Sequence, residues 1–222
     1  MPIEKFKMEI EGAGKVGAVF TAPEDDEPEV AVVVAHGQAN DFNNELLVSF
    51  SNGLAERGYA SLRFNFPYRE AGKKSPNGKG TLVKAYKTAR DELERKTEDA
   101  KIVYAGKSLG ARIASYVAEE EPPSGLIFLG YPIHRPGGEP GNYAHLLEME
   151  SPMLFFAGTR DPFCNMEKLQ NILELRTHPS SLQIVEGGEH SFIPPEGDDR
   201  PVEIIYRNIA AVSADWLDEY IS

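Results

Sequence analysis

Three residues have the types and the chain order that nucleophilic chemistry requires: Ser108, Asp161 and His190. Ser108 stands in Gly106-Lys107-Ser108-Leu109-Gly110, a Gly-x-Ser-x-Gly pattern. Such a turn between a strand and a helix lifts a serine hydroxyl above a sheet edge, and its glycines allow backbone and helix to approach closely. A serine at its free pKa is a weak nucleophile and needs a base beside it. His190, in Gly187-Gly188-Glu189-His190, is the expected base, and Asp161, in Gly158-Thr159-Arg160-Asp161, the group that fixes its tautomer and stabilises the imidazolium. Serine, then aspartate, then histidine is the order this chemistry takes on an open α/β sheet. The other four histidines, His36, His134, His145 and His178, lie at positions that do not suit the base. A developing oxyanion needs two backbone donors: the amide of Leu109, just after the nucleophile, and that of Gln38 in the loop after residues 30–35.

These groups require a frame that brings distant segments to one edge. Residues 6–10 and 15–21 read as a hairpin around Glu11-Gly12-Ala13-Gly14. Val30-Ala31-Val32-Val33-Val34-Ala35 is a continuous apolar, β-branched run, the mark of a strand buried on both faces. Further strands are expected over 59–66, 101–104, 126–129, 153–157 and 182–185, with helices over 43–57, 81–95, 111–119, 167–176 and 202–221. Residues 22–28 and 69–79 read as exposed loops. Alternating strands and helices predict a mostly parallel sheet covered on both faces, with function at the C-terminal ends of its strands. The 222 residues are expected to form one domain.

Composition excludes several classes. A net charge of −12 argues against nucleic acid or an anionic membrane as partner. One cysteine, Cys164, rules out an internal disulfide framework and is expected to be a buried, inert thiol. Residues 1–22 have no apolar core of a secretory leader, and no stretch approaches a membrane span, so the cytoplasm is expected. No metal-ligand pattern or phosphate loop is found, and no cofactor is expected. Against the acidic background, Lys107, Arg63, Arg69 and Arg135 fall near strand ends and point toward an anionic substrate. Arg112 sits near a helix N-terminus, where the dipole disfavours a cation, so a carboxylate partner or an anionic ligand is expected beside it.

The chain resembles the α/β-hydrolases, and within them a small group of hydrolase-like proteins near the dienelactone hydrolases. The resemblance rests on Ala35-His36-Gly37, Phe64-Asn65-Phe66-Pro67-Tyr68, Gly106-Lys107-Ser108-Leu109-Gly110-Ala111-Arg112, Leu129-Gly130-Tyr131-Pro132, Gly158-Thr159-Arg160-Asp161-Pro162 and Gly187-Gly188-Glu189-His190-Ser191-Phe192. It implies an α/β-hydrolase fold with an eight-stranded sheet and the triad Ser108, Asp161 and His190. Gln38-Ala39-Asn40 departs from the small residues that this group carries after His36-Gly37.

Residues 130–152 are longer than an ordinary strand–helix connection but too short for a covering domain, so no full lid is expected. The site should then be a shallow cleft walled by Phe66, Tyr68, Tyr131, Phe163 and Phe192, with Arg112 as a further substrate contact. The resulting expectation is a serine hydrolase acting on small carboxylic esters through an acyl-enzyme. A thioesterase, amidase or acyltransferase using the same triad stays open, as does a non-catalytic scaffold that keeps the fold.

Overall fold

The computed structural model describes residues 1–24, 27–134 and 143–222. The glycine- and proline-rich stretch of 135–142, Arg135 included, lies outside the described residues, as do Asp25 and Asp26.

Eight strands form one sheet: β1 (Ile3–Ile10), β2 (Gly14–Thr21), β3 (Val30–Ala35), β4 (Ala60–Phe64), β5 (Lys101–Lys107), β6 (Gly125–Leu129), β7 (Met153–Gly158) and β8 (Ser180–Val185). Their spatial order is β1-β2-β4-β3-β5-β6-β7-β8. The first two make the expected antiparallel hairpin, β2 also pairs antiparallel with β4, and every other pairing is parallel. The central β3 is buried at all six positions, which is why its sequence shows no alternation.

Alternate residues of β3 feed two cores. Val30, Val32 and Val34 face α1 (Glu45–Ala55) and α7 (Val202–Tyr220), which supply Leu47, Phe50, Ile209 and Leu217. Ala31, Val33 and Ala35 face the opposite layer, built from α3 (Lys79–Lys96), α4 (Leu109–Glu120) and α6 (Met166–Leu175). Two short helices complete the chain. The first, α2 (Pro67–Glu70), replaces the start of the polar connection expected over 69–79; the second is α5 (Ala144–Glu148). Pro67 starts α2 because its fixed φ suits the first helical position and its missing N–H costs nothing there.

In this topology β3, β5, β7 and β8 all end on the same edge, so the loops that carry Gln38, Ser108, Asp161 and His190 meet there. Among the described residues no helix is long and apolar enough to cross a membrane.

Candidate active site

The turn at Ser108 is built from close contacts that only glycine allows. A Cβ on Gly106 would lie 2.3 Å from the carbonyl carbon of Gly110, and one on Gly110 would lie 2.3 Å from the oxygen of Ala35. The resulting turn holds Ser108 at φ 53° and ψ −110°, in the left-handed half of backbone space that a side chain disfavours. Its amide donates to the oxygen of Leu129, at the end of the neighbouring strand.

The structure brings Ser108, His190 and Asp161 into one hydrogen-bonded chain. The Ser108 hydroxyl donates to Nε2 of His190 across 2.8 Å, and Nδ1–H of His190 donates to Oδ2 of Asp161 across 2.7 Å. The other carboxylate oxygen of Asp161 accepts from the amide of Phe163 at 2.8 Å, and the side chain has no exposed surface. The two loops concerned are tied together. Thr159 donates its amide to Val185, and Arg160 donates its amide to Gly188. Gly158 is necessary for this, because a Cβ there would stand 2.2 Å from the oxygen of Gly188. The hydroxyl of Tyr206 on α7 adds a bond to the oxygen of Ser191.

On the other flank of Ser108, the amides of Leu109 and Gln38 donate to no acceptor among the described residues. The loop bearing Gln38 is shaped from beneath. His36 is fully buried, donates from Nδ1 to the oxygen of Gly37 at 2.7 Å, and accepts from the amide of Phe66 at 3.0 Å. Burial pushes its imidazole down to about 4, so it stays neutral. The Tyr68 hydroxyl donates to the carbonyl of Gln38 at 2.8 Å, while the Gln38 side chain itself points to solvent.

A cleft of about 810 Å³ opens over the serine, lined by Gln38, Asn40, Arg69, Phe163 and His190 among others. Of the aromatic residues expected to wall it, Phe163 alone does so, with its ring centroid 4.5 Å from that of His190. Phe66, Tyr68, Tyr131 and Phe192 are corrected: all four are buried in the core. Phe66 and Tyr68 turn inward because α2 begins at Pro67 and folds them against His36. Tyr131 packs edge-on against Phe128. Phe192 follows the histidine at φ 64°, which swings its ring into the α7 layer. Arg112 is likewise no wall of the cleft. Its guanidinium donates to the Tyr116 hydroxyl one helical turn on, at 2.8 Å, and no carboxylate among the described residues pairs with it.

The remaining cations separate sharply. Arg63 is buried and donates to the oxygen of Phe42. Lys107 is buried and donates to the oxygen of His190. Arg69 and Lys74 line the cleft with no ion-pair partner among the described residues, and the Nε of Arg69 is buried without an acceptor. Cys164 is a buried thiol pushed up to about 12 by desolvation, with Asp161 adding to the effect. No group of His, Cys, Asp and Glu among the described residues is arranged to hold a metal ion.

The sequence matches the family described as alpha/beta hydrolase domain over residues 28–218. The chain belongs to the α/β-hydrolases. Solved structures agree on the fold of this α/β-hydrolase. The esterase domain of a Rhodothermus marinus protein superposes with a TM-score of 0.77 at 19% identity, covering 100% of both chains. A lidless α/β serine hydrolase from Xanthomonas campestris gives 0.78 at 17% identity, over 97% of this chain and 96% of that one. A dienelactone hydrolase from Anabaena variabilis gives 0.77 at 18% identity, over 100% and 99%. At these identities the likeness is one of fold.

Proposed function

We propose that this α/β-hydrolase is a serine esterase that cleaves carboxylic esters of small acyl groups through an acyl-enzyme on Ser108. The observation that carries the reading is the unbroken hydrogen-bonded chain from Ser108 through His190 to Asp161 at the floor of an open cleft. Oγ of Ser108 attacks the ester carbon as Nε2 of His190 takes its proton. The buried carboxylate of Asp161 holds the resulting imidazolium. The amides of Leu109 and Gln38 receive the negative charge that develops on the carbonyl oxygen. Collapse expels the alkoxide, which leaves with the proton from His190. Water then repeats the sequence, releasing the acid and restoring the serine.

Two features support a small and anionic substrate. No described residue of 130–152 lines the cleft, so added methylenes would stay wet and contribute little of the ~0.8 kcal/mol that a buried one supplies. Arg69 and Lys74 line it with no carboxylate beside them among the described residues, in a chain of net charge −12, which favours esters that carry a negative group. The esterase domain and the lidless serine hydrolase among the structural neighbours are consistent with the reading.

A fluorophosphonate probe tests it. Wild type is expected to be labelled once, on Ser108, and Ser108→Ala not at all. A folded wild-type protein that resists the probe would refute the esterase reading in favour of a scaffold that retains the fold. Rates on matched oxygen esters, thioesters and anilides then rank the substrate classes that one triad can serve.

A further inference from the structure

Lys107 is the last residue of β5 and the immediate neighbour of the nucleophile, yet only 2% of its surface is exposed. Burying an ammonium is costly unless something compensates for the lost water. The stem runs in a slot between two glycines. A Cβ on Gly37 would come within 3.4 Å of Cγ of Lys107, and one on Gly130 within 3.2 Å of its Nζ. At the end of that slot the ammonium finds no carboxylate at ion-pair distance among the described residues. It donates instead to a main-chain oxygen, that of His190, at 2.5 Å. The charged groups that face it are Asp161 from the loop after β7 and Glu189 from the loop after β8, beside His190 itself. Burial nevertheless dominates and brings the ammonium down to about 8.

The bond has a mechanical consequence. His190 lies on a loop entered through Gly187 and Gly188, at the end of a strand separated from β5 by β6 and β7. Asp161 fixes the orientation of the imidazole, and the main chain beneath it is tied to the β7 loop through Arg160 and Gly188, to α7 through Tyr206 and Ser191, and within itself through Glu189; none of these bonds reaches β5. Lys107 reaches that main chain from a point one peptide bond away from Ser108. Any drift of the β8 loop relative to β5 therefore has to stretch this bond.

We propose that Lys107 is a positioning residue: by gripping the carbonyl of His190 it sets the distance between the base and the nucleophile. The inference rests on the serine-hydrolase reading. Small displacements of catalytic groups reduce rate steeply, so the strut acts on turnover and not on substrate affinity.

Lys107→Met and Lys107→Gln test it, through p-nitrophenyl acetate turnover, fluorophosphonate labelling rate and thermal melting between pH 6 and 10. The methionine variant fills the slot but donates nothing. Its kcat and labelling rate are expected to fall about 10- to 100-fold, with KM unchanged and a melting temperature equal to or above wild type. Glutamine, a neutral donor, should retain more activity than methionine. Wild-type kcat should decline to a lower plateau as pH passes about 8, where the charge-assisted bond gives way to the weaker one of a neutral amine, and that decline should be absent from both variants. A methionine variant at the wild-type rate, a loss confined to KM, or equal losses in both variants with lowered melting temperatures would overturn the proposal. Should the methionine variant fail to fold, the glutamine variant decides alone: loss of the alkaline decline supports the strut and its persistence overturns it. The downfield Nδ1 proton resonance of His190 reads the strut without chemistry. Sharp in wild type and exchange-broadened in Lys107→Met, it supports the strut even in a protein that labels with no probe, where the hydrolase reading alone would fall. An identical signal in both overturns the strut.

Discussion

The two flanks of Ser108 are built on opposite terms. On the β7–β8 side almost every polar group is spent: both oxygens of Asp161, both ring nitrogens of His190, and the ammonium of Lys107 all have protein partners. On the β3–β4 side the donors are unspent: the amides of Leu109 and Gln38, the guanidinium of Arg69 and the ammonium of Lys74. In the proposed reaction the first flank holds one geometry through proton transfers, and the second waits for charge that a substrate brings. Even so, the second flank is not loose. Glu70 on α2 is bound by Lys7, by the side chain of Asn65 at 3.0 Å and by the amide of Gly17 at 3.1 Å, which leaves nothing on α2 to neutralise its neighbour Arg69. The difference separates machinery from recognition.

Breaking the spent flank should have the largest effect. Asp161→Asn is expected to keep the fold and lower kcat by roughly 10³–10⁴, as loss of the tautomer-fixing carboxylate does in such triads. Retention of activity within a few-fold would move the acid elsewhere, although Asp41, Glu70 and Asp198 are each bonded outside the triad. Gly158→Ala should cost about 3 kcal/mol in chemical denaturation, because the atoms nearest its methyl group are main-chain atoms of Gly188 and Glu189, which cannot swing aside. A stability within 0.5 kcal/mol of wild type, roughly the scatter of surface substitutions, would contradict the close packing of the two loops.

The floor of the unspent flank can be probed by pH. With His36 held down to about 4, the folded protein binds fewer protons than the unfolded chain between that value and the ordinary 6.5. Its contribution to stability is complete above pH 6.5 and is lost as pH falls toward 4, amounting to about 3 kcal/mol across the window. Comparing the denaturation free energies of wild type and His36→Gln at pH 7.5 and 4.5 isolates that slope. Parallel profiles would remove His36 from the account. The smallest of these effects concerns recognition: Arg69→Gln should reduce the preference for p-nitrophenyl hydrogen adipate over p-nitrophenyl hexanoate by about tenfold. An unchanged ratio of kcat/KM would leave the cationic lining without a role in selecting substrates.

Much of this could be read from the sequence. Apolar runs marked the buried strands, periodic leucines marked α1, and three motifs in order at strand ends named the residues that the structure joins. The misplaced aromatic residues share one physical origin. Phe66, Tyr68, Tyr131 and Phe192 all follow strand ends, where period-two alternation no longer says which way a side chain turns. Pro67 and the short α2 then bury the first two, and the positive φ at Phe192 buries its ring. Arg112 bonds the Tyr116 hydroxyl and no carboxylate among the described residues, and the tyrosine four residues on was the legible signal for that partner. Lys107 looked like part of a substrate field because a main-chain oxygen from 83 residues away leaves no trace in local sequence.

The backbone at Ser108 carries a further consequence, for the protein's own resilience. A residue held at φ 53° and ψ −110° loses stability for as long as it bears a side chain. In ordinary helical surroundings glycine is the weaker choice than alanine; at this position the ranking should invert. Ser108→Gly and Ser108→Ala both forfeit the bond to His190, so the difference between them measures the backbone alone, and the glycine variant should be the more stable by about 1 kcal/mol. The turn would then cost stability for any side chain at this position, the serine included, a strain that the fold carries in order to present a hydroxyl there.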